Sequence, residues 1–182
     1  MLLCLMITSI SPLAAAEVLR EFSAQQMAKV GDVSMPGAIN VSAGRIRVET
    51  RVHGVSEIVI LKPEKTHACV LMPAQKEFMR LPPRDLELVL TSVFGPEVSY
   101  VQEPIEKAAG QTTDKYRIDS PVGLLYLWTE SSTGKPLRLQ SANKRIKLEW
   151  RRVRAGSQAD ALFEKPAGYR NFMEQGSRTA PS

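Results

Sequence analysis

Residue types able to do chemistry are sparse in this 182-residue chain. His53 and His67 are its two histidines, and Cys69 follows His67 at a spacing of two. On an extended strand that spacing puts imidazole and thiol on one face, the beginning of a copper or zinc pair. No third ligand stands near them in sequence, so the set is incomplete. There is no G-x-S-x-G nucleophile turn, no glycine-rich phosphate loop and no Cys-x-x-Cys. Asp85 and Glu87 open a predicted helix, where its dipole favours carboxylates without any catalytic role. Cys69 lies in mid-strand and reads as a buried, inert thiol. These residues predict a protein that is not an enzyme and carries no metal or cofactor.

Binding chemistry is better represented. Arginines cluster at two strand ends, Arg45, Arg47 and Arg51 in one and Arg151, Arg152 and Arg154 in the other. They suit a solvated face, or the recognition of an anionic head group. Met72, Phe78 and Met79 group in the first half, and Leu125, Leu127 and Leu139 in the second. Methionine and leucine make adaptable walls for acyl chains, and ordinary cores as well. The candidate ligand-binding set is Arg45, Arg47, Met72, Phe78, Leu86, Leu90, Leu125, Leu127 and Leu139, with the arginines at the rim to steer an anionic group.

Strands have to position these side chains. From Gly44 to Pro82 four short strands are predicted, Arg45 to Val52, Glu57 to Leu61, Ala68 to Met72 and Phe78 to Leu81. The first alternates charged and apolar residues with period two, and turn residues end each run. Connections this short join antiparallel neighbours, so the segment is a meander. A long strand from Val18 to Lys29 and a short one from Ala38 to Val41 precede it. Leu86, Val89, Leu90 and Val93 then fall at i, i+3, i+4 and i+7, the stripe of a helix, and Phe94-Gly95-Pro96 ends it. At about ten residues that helix is marginal alone and must dock on the sheet. Where helix and curved sheet fail to fill the space between them, a lipid-sized pocket results.

Further strands are predicted over Val98 to Lys107, Thr112 to Ile118, Val122 to Glu130, Pro136 to Ser141 and Arg145 to Val153, then a helical turn over Gln158 to Phe163. Leu124, Tyr126 and Trp128 alternate with Leu125 and Leu127, predicting a central strand covered on both faces. The result is an α+β protein: a strongly curved antiparallel sheet of about ten strands, an open half-barrel, with one short lid helix.

Bulk properties agree with a single domain, able to bury roughly 70% of the surface of its unfolded chain. Residues 1–16 form an apolar run, Met1 to Ile10, a Ser11-Pro12 break, and small residues before Glu17, the pattern of a cleaved secretory signal peptide. The domain then spans 17–174 and a disordered tail 175–182. With Cys4 removed, Cys69 has no internal partner for a disulfide. Twenty-four basic against nineteen acidic residues, formally +5, suit work near anionic membranes and are too few to indicate nucleic acid.

The long first strand, the segment VLMPAQKEFMRLP, the short helix and the terminal DALFEKPAGY together resemble the LolA/LolB-like superfamily. Within it, the chain is similar to periplasmic proteins of the outer-membrane lipoprotein-sorting type. The matching residues are Arg45 to Glu49, Lys62-Pro63-Glu64-Lys65, Leu71-Met72-Pro73, Lys76, Phe78-Met79, Asp160-Ala161-Leu162-Phe163 and Pro166-Ala167-Gly168-Tyr169. The resemblance implies an open half-barrel with a helical lid over an apolar concave face, and the shuttling of acylated lipoproteins through the periplasm. The expected partners are a lipid acyl chain or lipoprotein and a protein of the inner or outer membrane, with the chain itself a monomer. An alternative on the same fold is a periplasmic sensor that binds a protein or peptide along its sheet. A hydrolase is a third, disfavoured for want of a nucleophile and base.

Overall fold

The structure, a computed structural model, describes residues 17–52, 54–108 and 111–175. The predicted signal peptide, His53 and all of the predicted tail except Gln175 lie outside the described residues. Six strands come first: β1 (Phe22–Val30), β2 (Val33–Ser42), β3 (Arg45–Val52), β4 (Val55–Leu61), β5 (Ala68–Met72) and β6 (Glu77–Leu81). Helix α1 (Asp85–Phe94) follows, then β7 (Val101–Ala108), β8 (Gln111–Ile118), β9 (Leu125–Glu130), β10 (Pro136–Ser141) and β11 (Ile146–Ala155). A 3₁₀ turn (Asp160–Phe163), a two-residue strand β12 (Arg170–Asn171) and a single helical turn α2 (Phe172–Gln175) complete the described chain.

All twelve strands form one open sheet in the order β12-β6-β5-β4-β3-β2-β1-β11-β10-β9-β8-β7. Two meanders run in opposite directions and meet where β1 pairs antiparallel with β11. The segment containing α1 therefore crosses a face of the sheet, carrying the chain from β6 near one edge to β7 at the other. About ten strands were expected. β12 is the unforeseen one, pairing parallel with β6 rather than antiparallel, and the short strand expected from Ala38 to Val41 is a longer β2 that starts at Val33. The Met35-Pro36-Gly37 stretch reads as a connection in sequence, yet it lies inside β2, with Gly37 opposite Thr50 of β3. A Cβ on Gly37 would meet the Glu49 carbonyl oxygen at 1.9 Å, so glycine is what lets these two strands pair. The first strand begins later than expected, at Phe22, and β11 extends to Ala155.

Tight turns hold the first meander in register. Ala43 and Gly44 both have positive φ, 50° and 73°, the conformation that a two-residue hairpin with native twist requires. The helix side of the sheet carries the main core, in which Phe22, Ile39, Val41, Ile46, Val89, Leu90, Val93, Phe94, Leu125, Leu127, Leu139 and Leu148 are fully buried. A second, smaller cluster on the opposite side joins Ile58, Ile60, Leu71, Phe78 and Phe163. Alternation within β4 and β5 sends residues to the two clusters in turn: Val59, Ala68 and Val70 to the first, Ile58, Ile60 and Leu71 to the second. Within β9, Tyr126 and Trp128 face away from the main core. Among the described residues no second layer covers them as expected; Lys115 lies 4.9 Å from the Tyr126 ring and Arg138 is 5.0 Å from that of Trp128.

The candidate site: an apolar cavity beneath the first half of helix α1

Helix α1 is fastened at both ends. At its start the Arg84 N–H donates to Glu87 Oε2 at 2.9 Å, the back-bond of a capping box. At its end the Gly95 N–H donates to the Thr91 carbonyl, and Pro96 stops the run. In its second half Phe94 stands edge-on to Phe22 and to Trp150, with centroids 5.1 and 5.5 Å apart. Tyr100 caps that end by donating its hydroxyl to the Val93 carbonyl. Three aromatic rings close the space between helix and sheet there.

The first half of the helix has no such filler. A cavity of about 780 Å³ remains between α1 and the ends of β1 to β4, within the size range of small-molecule pockets. Val30, Val33, Met35, Val48, Thr50, Val55 and Val59 line it from the sheet, and Leu86 and Leu90 from the helix. Two of these are well exposed at its mouth, Val33 at 49% and Val55 at 58%. The mouth also carries Glu57, Arg84, Asp85 and Glu87. Glu87 is buried with its side chain 4% accessible, and it would be unstable there without a cation. Arg84 supplies one. Its Nη2 lies 2.7 Å from Glu87 Oε1 and 2.9 Å from Glu57 Oε1, and its Nε donates to Glu87 as well. The Glu87 hydrogen bond, foremost, holds the guanidinium pKa above its ordinary value.

The nine residues singled out from sequence fall in three places. Leu86 and Leu90 line the cavity. Leu125, Leu127 and Leu139 are on the same side of the sheet but within the closed core, where Leu139 pairs across to Leu127 and to Leu148. Phe78 packs in the smaller cluster on the other side, and Met72 is half-buried at the end of β5. Arg45 and Arg47 are also on the other side, holding the C-terminal segment. Arg45 pairs with Asp160 at 2.8 Å and lies 4.7 Å over the Phe163 ring, and Arg47 donates to the Leu162 carbonyl. The DALFEKPAGY segment thus acts as a strap across β3 to β6, ending where Arg170 donates its N–H to the Lys76 carbonyl. Sequence reasoning missed the valine wall, Met35 and the Glu57–Arg84–Glu87 cluster. The Arg84-x-x-Glu87 spacing was a signal for part of that cluster.

His67 and Cys69 share a small recess on the strap side with Lys62, Lys65, Arg80 and Lys165. Among the described residues, no third His, Cys, Asp or Glu joins them in a group able to hold a metal. Burial pushes the Cys69 thiol pKa up, against the pull of Arg80, Lys165 and Lys62.

No family model matches the chain, and no curated protein does. Solved structures do. An uncharacterized conserved protein from Thermus thermophilus superposes with a TM-score of 0.56 at 12% identity, over 82% of this chain and 88% of that one. A putative outer membrane lipoprotein-sorting protein domain from Vibrio parahaemolyticus gives a TM-score of 0.44 at 11% identity, over 82% of this chain and 92% of its own. MucB, solved in complex with the periplasmic part of MucA, gives 0.42 at 14% identity, over 80% of this chain and 54% of its own. The chain shares its fold with the Thermus protein, and its more distant structural neighbours include the lipoprotein-sorting domain and MucB.

Proposed function

We propose that this chain is a non-enzymatic periplasmic binding protein that holds an apolar chain, a lipid acyl chain or that of a lipoprotein, in the cavity between α1 and β1 to β4. The observation that carries the reading is the cavity itself: valine, leucine and methionine walls, an opening at one end, and a volume near 780 Å³. Affinity would come from burial. Each methylene removed from water contributes roughly 0.8 kcal/mol, so about ten offset much of the cost of association. The periplasmic location rests on the apolar leader read in residues 1–16. A part in outer-membrane lipoprotein sorting is the narrowest form of the proposal and rests on the sequence resemblance.

The test is mass spectrometry of lipid extracts from protein purified out of the periplasm without detergent. Near-stoichiometric acyl lipid is the expected result. An empty protein that also fails to take up a fluorescent alkyl probe would overturn the reading and leave protein or peptide binding as the alternative.

A further inference from the structure

Which head group such a ligand carries is written in the charges at the cavity mouth. Three carboxylates, Glu57, Asp85 and Glu87, face one guanidinium, Arg84, among the lining residues, a formal charge of −2. Arg84 is already committed, since its Nε and Nη2 serve both glutamates. An anionic head group would have to compete with Glu57 and Glu87 for it. The start of α1 contributes only about +0.5 of an elementary charge, which leaves the mouth negative. Asp85 is exposed there, and Glu57 uses one carboxylate oxygen on Arg84. Both can accept from an incoming cation. The arginines expected to steer an anion, Arg45 and Arg47, are engaged with the strap on the other side of the sheet.

Building on the apolar-chain reading, we infer that the cavity selects a chain bearing a cationic group, an alkylammonium-type amphiphile, over the matching carboxylate. The chain lies along Val48, Val59 and Leu90, and the cation sits at the mouth beside Asp85 and Glu57. Its discrimination is electrostatic, so it weakens as salt shortens the screening length.

The experiment uses three probes of one chain length, dodecylammonium, dodecanoate and neutral dodecanol, the two ions below their micellar concentrations and the alcohol below its solubility limit, each competing against a bound fluorescent alkyl probe. The expected result is an order of ammonium, then alcohol, then carboxylate, with about tenfold between the ends at low salt and less at 0.5 M. The double variant Glu57→Gln with Asp85→Asn should bring the three within about threefold of one another. Carboxylate binding as tightly as ammonium, or a preference unmoved in the double variant, would overturn this inference and leave the apolar-chain reading intact. Failure of all three to bind would overturn both.

Discussion

The two ends of helix α1 rest on the same face of the same sheet and treat it differently. Under the second half, Phe94, Phe22 and Trp150 meet edge to face and pack between helix and sheet. Under the first half, the side chains that project from β1 to β4 are mainly valines, with one methionine, one threonine and Glu57, and Leu86 and Leu90 do not reach across to fill the gap. The backbone frame is continuous through both regions, so the cavity follows from side-chain volume. Aromatic rings make a core at one end, and β-branched residues of low volume make a container at the other.

The largest effect should come from breaking the filled end. Phe94→Ala removes a fully buried ring and should cost about 3–5 kcal/mol in urea unfolding, a loss of the kind seen when large core residues are truncated. Filling the empty end should do the reverse. Leu86→Trp is expected to change stability by less than about 1.5 kcal/mol, because the added volume enters free space. It should weaken alkyl-probe binding tenfold or more, read by fluorescence titration.

The strap side sharpens the comparison, since its contacts hold structure around a smaller recess of about 190 Å³. Arg45→Ala removes an ion pair with a largely exposed Asp160 and a ring contact to Phe163. The expected cost is about 1 kcal/mol, with alkyl-probe affinity unchanged. The smallest effect concerns Cys69, on the same side. Burial raises its pKa, so the thiol stays protonated at neutral pH and becomes thiolate only as pH climbs through that raised value. Reaction with a disulfide reagent at pH 7 should be slow in the wild type and faster in Arg45→Ala, where the strap is loosened. Equal rates in the two would show that Arg45 does not hold the strap over this thiol.

How much of this was legible in the sequence follows the range of the interactions. The meander from Arg45 to Leu81 was readable because its turns and period-two patterns are local. So was α1, and with it Leu86 and Leu90, since spacings of three and four define one helical stripe. The join of the two meanders through β1 and β11 was not visible, nor was the partnership of Arg45 with Asp160, 115 residues away. Arginine on an alternating strand looks the same whether it faces water or a strap. The valines of the cavity wall likewise resemble any strand interior. Which of them stay uncovered depends on where a ten-residue helix comes to rest on a twelve-stranded sheet, a long-range outcome with no local signature.

The central claim is that the space under the first half of α1 takes up an apolar chain. Its most direct test is titration with a neutral solvatochromic naphthylamine probe, in the wild type and in folded Leu86→Trp. The account predicts saturable one-to-one binding with a blue-shifted emission in the wild type, reduced at least tenfold in the variant. Binding that is absent from the wild type, or unaffected by filling the cavity, would contradict it.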